Sequence, residues 1–328
     1  MDLADVFGRA LFTALVYPGF LFLVVLGLLS QWYRRKLVAR LQNRVGPKYV
    51  GPAGILQPFA DIYKLLFVKE LVTGSYSPAR FLVYVLTLGI AALATSTIFL
   101  PLSPFSFGVS YDVLLFIYLT LYASIAFALV GFGSVSPYPS FGGVRYTTMM
   151  LVFEPTVALS LLAMVRVLAP HSLSIYDALG KPRIFEFNYF LNSLIQVFVL
   201  VIAGLSFSIA LLSKAMMKPF DIPEAETEVA GGYLAELSGP ALGLAILLHE
   251  VELALYVLLF SNILIPVPPM LPSALNIIVS LVKYVVVLTL IIVVAYSMGR
   301  VRLDQALRTL FKMPLPLSIL SLALSFLV

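Results

Sequence analysis

The chain has 328 residues, 61% of them hydrophobic and only 11% charged, with a mean hydropathy of +1.03 and 21 Lys and Arg against 16 Asp and Glu. So much apolar surface cannot be hidden in a soluble core, and the composition describes an all-α polytopic integral membrane protein. The lack of cysteine excludes disulfides, thiolate metal sites and iron–sulfur clusters ligated by this chain, and two histidines, His171 and His249, are too few for haem or histidine-zinc ligation.

A helix needs about 20 apolar residues to cross the hydrocarbon core. Eight stretches meet that need: Ala10–Tyr33, Ala79–Leu100, Val113–Phe132, Thr147–Leu168, Ser193–Leu212, Ala241–Ile265, Ala274–Met298 and a short Pro314–Val328. Met1–Arg9 holds two aspartates and leads into an apolar run too long for a cleavable signal, so the first span is read as retained. Nine basic residues from Arg34 to Arg80 follow it, whereas Pro101–Asp112 has none. The positive-inside rule therefore places that first loop in the cytoplasm, together with Arg145, Lys214, Lys218, Arg300, Arg302, Arg308 and Lys312, and puts both termini outside. Orientation explains this basicity without nucleic acid. Lys181 and Arg183 are the weak point of the pattern, and His171 is expected on the outer surface.

After the first span, Arg40–Glu70 reads RLQNRVGPKYVGPAGILQPFADIYKLLFVKE. Gly46-Pro47 and Gly51-Pro52 break regular structure. Beyond them Ile55, Leu56, Phe59, Ile62, Leu65, Leu66 and Val68 recur at helical spacing, which predicts a short amphipathic helix on the inner membrane surface. Arg34, Arg35, Arg40, Gln42, Arg44, Gln57 and Asp61 form a polar surface suited to docking another subunit, since arginine serves well in interface ion pairs. A solvated loop that binds anionic lipid is the plainer alternative.

Glu154 falls in the fourth span, roughly 12 Å from its inner end at 1.5 Å per residue. His249, Glu250 and Glu252 enter the sixth, and Lys283 lies in the seventh. Ionised groups at such depth cost at least about 2.5–3.5 kcal/mol each, so they are expected to face protein or water. Between the fifth and sixth spans, PFDIPEAETEVAGGYLAELSG carries Asp221, Glu224, Glu226, Glu228 and Glu236, nearly a third of all the acids. Carboxyls desolvated side by side titrate as a set, and these acids together with Glu154, His249, Glu250, Glu252 and Lys283 are easier to explain as an ion relay than as structure. The structural alternative is that Glu250 or Glu252 merely pairs with Lys283. No linker, repeat or low-complexity tract divides residues 1–328, which are read as one membrane domain with a basic inside loop and amphipathic helix over 34–78 and an acidic inside loop over 213–240.

RLQNRVGP, GILQPFADIYKLL and PFDIPEAETEVAGGYLAELSG together resemble complex I subunit 1, the H-subunit family, whose relatives include archaeal membrane-bound hydrogenase and sulfane sulfur reductase complexes. The resemblance covers almost the whole chain. It implies a connector between a hydrophilic arm and an ion-translocating membrane arm, with iron–sulfur clusters, and NiFe or flavin in some branches, held by partner subunits. It implies hydrogenase-like peripheral partners at Arg34–Lys69 and antiporter-like membrane partners beyond an acid route that starts at Asp221, Glu224, Glu226 and Glu228. Thr147-Thr148-Met149-Met150 ahead of Glu154, and His249-Glu250-Val251-Glu252, depart from the quinone-reducing pattern. They favour a ferredoxin-driven hydrogenase or sulfur reductase branch that moves H⁺ or Na⁺. A quinone-binding subunit and a stand-alone cation transporter are the alternatives.

Overall fold

A computed structural model describes residues 3–72, 79–100, 109–133, 136–170, 172–180, 190–265 and 273–327. His171, Lys181 and Arg183 lie outside the described residues. The described elements are helical throughout. They comprise α1 (Leu3–Leu15), α2 (Phe20–Leu41), α3 (Gln57–Tyr63), α4 (Ala79–Ser96), α5 (Asp112–Phe132), α6 (Pro137–Leu168), α7 (Ile175–Gly180), α8 (Phe190–Lys214), α9 (Glu226–Val229), α10 (Gly239–Leu264), α11 (Ser273–Ser297), α12 (Leu303–Lys312) and α13 (Pro314–Ser325). Eight helical segments among the described residues are long and apolar enough to cross a membrane, and their order is that expected from the sequence.

Their ends differ from the expected ones in ways that matter. The first span is not one helix, because Tyr17-Pro18-Gly19 separates α1 from α2, and proline removes a donor and blocks the preceding turn. Helix α2 then runs on to Leu41, so Arg34, Arg35 and Arg40 stand on its last turns rather than in a loop. Helix α6 starts at Pro137, ten residues before the expected Thr147, and carries Arg145 inside it. Lys214 is the last residue of α8, not part of the connection that follows. The final span also starts early: α12 holds Arg308 and Lys312, and α13 continues after a bend at Met313-Pro314. Pro155 sits within α6 and does not end it. The segment expected to be amphipathic is helical over Gln57–Val68, its last turn wound as a π-helix; Ile62 faces the protein while Tyr63, Phe67 and Val68 are exposed.

Helix α10 has no single apolar face, as suits a helix surrounded by protein, and 78% of its spanning stretch is buried, against 22% for the C-terminal span. It lies against α2, α4 and α11, while α6 lies against α5, α8 and α13. Large apolar side chains that no protein covers, such as Tyr84, Leu88, Leu151, Val201 and Leu290, form the outward surface of the bundle, where lipid rather than water is the natural neighbour. Within each of these helix groups two backbones nearly touch. A Cβ on Gly131 of α5 would lie 2.4 Å from the Gly143 Cα of α6, and one on Gly27 of α2 would lie 3.0 Å from the Glu250 carbonyl of α10.

The α8–α10 connection is folded onto the bundle end. Gly232, at φ +58°, places its Cα where any side chain would strike the Pro223 carbonyl at 1.7 Å, which explains the Gly-Gly pair in this loop. Gly142 lets α6 approach the same loop so closely that a Cβ there would lie 2.5 Å from the Tyr233 nitrogen. Gly142→Val is therefore expected to displace the acidic loop and cost about 1–3 kcal/mol by overpacking. Gly8→Ala, with open space around it inside α1, should hold or slightly raise the unfolding temperature of the purified protein.

Candidate functional site

Two buried charge clusters occupy the loop end of the bundle, and α10 supplies an acid to each. Successive residues of a helix turn by about 100°, so Glu250 and Glu252 project to nearly opposite sides. Glu250 meets Arg34 of α2 in an ion pair; its carboxylate is 1% exposed, and its Oε2 has no hydrogen-bond partner. Glu252 turns the other way, toward Lys214 at the end of α8.

Lys214 is the centre of the second cluster. Its Nζ pairs with Glu154 Oε1 of α6, lies 3.1 Å from Glu252 Oε1 of α10 and donates to Ser124 Oγ of α5 at 2.6 Å. Ser124 in turn donates to Glu154 Oε1 at 2.5 Å. The ammonium also lies 4.9 Å from the Tyr256 ring centre, within cation–π range. Four helices thus converge on one ammonium that is 1% exposed. Two carboxylates share it, which leaves one negative charge in excess when all three groups are ionised.

A cavity of about 730 Å³ opens beside the first cluster. Its lining includes Gln31, Arg34, Arg35 and Arg44 from α2 and the turn after it, Met216, Lys218, Asp221, Glu224 and Tyr233 from the acidic loop, and His249 and Glu250 from α10. His249 and Ala215 also line the tight space around Lys214, Glu252 and Tyr256, and His249 Nε2 lies 2.9 Å from the Ala215 carbonyl. The imidazole therefore stands between the open cavity and the closed cluster. Tyr233 donates its hydroxyl to Glu224 Oε1 at 2.8 Å; burial, reinforced by that carboxylate, holds the phenol well above its ordinary pKa, so it remains a donor at neutral pH.

A family model for NADH dehydrogenase matches residues 13–326. The chain belongs to that family, the complex I subunit 1 family of membrane proteins. Among solved structures it is similar to a chain in the structure of the membrane-bound sulfane sulfur reductase, an archaeal respiratory membrane complex. The two are 25% identical, with 98% of this chain and 99% of that chain covered and a TM-score of 0.76.

Other residues singled out in this member of the family are distributed around the two clusters. Asp221 is held bidentately by Arg300, with contacts of 2.8 and 2.6 Å, so the acidic loop is tied to the α11–α12 connection. Glu228 pairs with Arg145 of α6 at 2.6 Å. Glu226 begins α9, and Glu236 is exposed. On the basic side, Asp61 accepts from Arg35 at 2.9 Å and from Gln57 at 2.8 Å, Arg44 donates to Gln42 at 2.8 Å, and Arg40 is exposed.

Lys283 is in neither cluster. Its Nζ donates to the Ile265 carbonyl at 2.6 Å, at the opposite end of α10, so the pairing of Glu250 or Glu252 with Lys283 does not form. Arg34 and Lys214 are the cations those acids meet instead. Sequence reasoning missed Lys214, Ser124, Arg145 and Arg300. The signal for Lys214 was present, since Leu211-Leu212-Ser213 precede it and Ala215-Met216-Met217 follow, an apolar setting unlike a solvated loop lysine.

Arg34→Met strands the Glu250 carboxylate and should cost about 3–5 kcal/mol, the penalty for an uncompensated buried charge. The paired change Arg34→Met with Glu250→Met should recover most of that loss. Thermal unfolding of the four proteins in a double-mutant cycle measures both.

Proposed function

We propose that this chain is the membrane connector of a complex I-like respiratory oxidoreductase, coupling electron transfer in an iron–sulfur peripheral arm to cation movement through a membrane arm. The observation that carries the reading is the pair of buried charge clusters joined at His249. Arg34 and Arg35, on adjacent positions of α2, reach the membrane interior at Glu250 and the surface helix at Asp61. A peripheral subunit seated on the 40–69 segment would thereby be coupled mechanically and electrostatically to the cavity wall.

The relay assignment rests on the acids of both clusters and of the loop. Asp221, Glu224 and Glu250 line the cavity, Glu154 and Glu252 lie behind it, and His249 bridges the two sets. Tyr233 holds Glu224 in place, and Arg145 holds Glu228. An imidazole between a wet, charged cavity and a closed carboxylate pair is placed to hand a proton inward. Protonating Glu154 or Glu252 releases its claim on Lys214 and removes the excess charge, so each proton that arrives alters the pull between α6, α8 and α10.

The branch proposed is the ferredoxin-driven archaeal type rather than a quinone reductase. The cavity is lined by four cations and three carboxylates, together with His249, and such walls suit water and protons more than an apolar quinone tail. Likeness to the sulfane sulfur reductase chain points the same way. Redox centres, on this reading, belong to the partners, with antiporter-like membrane subunits receiving the coupling. Among the described residues no group of three or more His, Asp or Glu could hold a metal.

Glu252→Gln should abolish redox-driven ion uptake by sealed vesicles that hold the complex, while electron transfer in the peripheral arm stays within about twofold of normal. Coupling that survives would remove Glu252 from the relay. Orientation follows from the basic loops, which are proposed to be cytoplasmic with both termini outside, and the chain's lack of cysteine makes this simple to check. Once the peripheral arm is stripped away, Tyr49→Cys, at a side chain 93% exposed in this chain, should react with an impermeant maleimide only from the cytoplasmic side, and Val109→Cys only from the other.

A further inference from the structure

We infer that Lys214 acts as a built-in cation that selects the proton. Its ammonium fills the place between Glu154, Glu252 and Ser124 where a sodium ion would bind, so the buried carboxylate pair exchanges H⁺ and is closed to Na⁺. The inference rests on the relay reading and specifies which ion that site accepts.

Three observations carry it. First, the Nζ faces an arrangement of oxygens that a hard cation would also seek: Glu154 Oε1, Glu252 Oε1 at 3.1 Å and Ser124 Oγ at 2.6 Å. An ammonium has three protons to donate, and here it has three oxygen acceptors. Second, the gap beside Glu252, bounded by Leu211, Lys214, His249 and Tyr256, has no room for even a water-sized sphere. A hydrated metal ion cannot stand alongside the ammonium. Third, two carboxylates and one ammonium leave an excess negative charge, and the gap beside Glu252 holds no water to hydrate it, which draws in one more positive charge. A proton needs no coordination sphere and can be held on a carboxylate oxygen as an O–H bond. The ammonium stays protonated throughout and is tethered by its own helix, so it cannot leave with the transported ion. Lys214 is thus a specificity-determining residue.

The test compares infrared spectra of the intact, detergent-purified complex in Na⁺ and in K⁺. For the wild type, the Na⁺-minus-K⁺ difference should contain no carboxylate band that disappears in Glu252→Gln. In Lys214→Met the vacated oxygens should take up sodium, giving a Na⁺-induced carboxylate shift that is lost when Glu252→Gln is added. Lys214→Arg, which keeps the charge, should stay blind to sodium. A Glu252-dependent sodium band in the wild type overturns the inference, and so does an assembled Lys214→Met complex without one. If Lys214→Met fails to assemble, the wild type compared with Glu252→Gln decides alone. These spectra need no turnover, so failure of the coupling assay counts against the relay and leaves the ion-selection result to stand or fall separately.

Discussion

One buried ammonium organises this end of the bundle. Lys214 draws α5, α6, α8 and α10 to a common point, and its ammonium offsets the buried charge that Glu154 and Glu252 bring there. Much of the surrounding architecture follows from that demand. Helix α10 has to be central to present acids in two directions, and α6 has to extend well past the usual length of a span to bring Glu154 to one cluster and Arg145 to the loop. Glycines at the α5–α6 contact allow the approach that puts Ser124 within reach. Buried ion pairs are weak sources of stability, so their retention here speaks for a task beyond holding the fold.

The two clusters also divide labour by access. Arg34 and Glu250 border an open cavity, whereas Lys214 and Glu252 line a space closed to water, with Glu154 paired to the ammonium beside it. In an enclosed, low-dielectric setting a single change of protonation acts strongly on its neighbours; beside a wet cavity it is screened. Placing the imidazole of His249 at the boundary separates a region that equilibrates with solvent from one that does not. A relay requires that separation, since a continuous wet channel would dissipate a gradient instead of coupling to it.

Most of the fold was legible in the sequence because the membrane imposes a simple rule of length and hydropathy, and eight spans follow from it in order. Their ends were less legible. Hydropathy falls where Arg145 and Lys214 appear, yet α6 runs through Arg145 and α8 runs on to Lys214, because a long side chain that finds a buried or half-buried acid need not end a helix. Carboxylates at 154, 221, 224, 228, 250 and 252 could be singled out as costly, but their partners could not be named. Arg34 with Glu250 joins residues 216 apart in the chain, and Asp221 with Arg300 joins residues 79 apart. Such pairings are tertiary facts. The alternative that paired Glu250 or Glu252 with Lys283 fails for the same reason, since proximity along neighbouring spans says nothing about which end of a helix a side chain reaches.

Helix α2 has a further mechanical consequence. Arg34 and Arg35 point about 100° apart around the same turn. One grips an acid in the membrane interior and the other an acid of the surface helix, and both grips lie on a rigid rod of 22 residues. A pull on the surface helix is thus applied off the axis of α2, as torque. The rod's opposite end meets a proline-glycine break, so it is not one continuous helix with α1. Such a part behaves less like a wire than like a crank, turning a force along the membrane surface into a rotation beneath it.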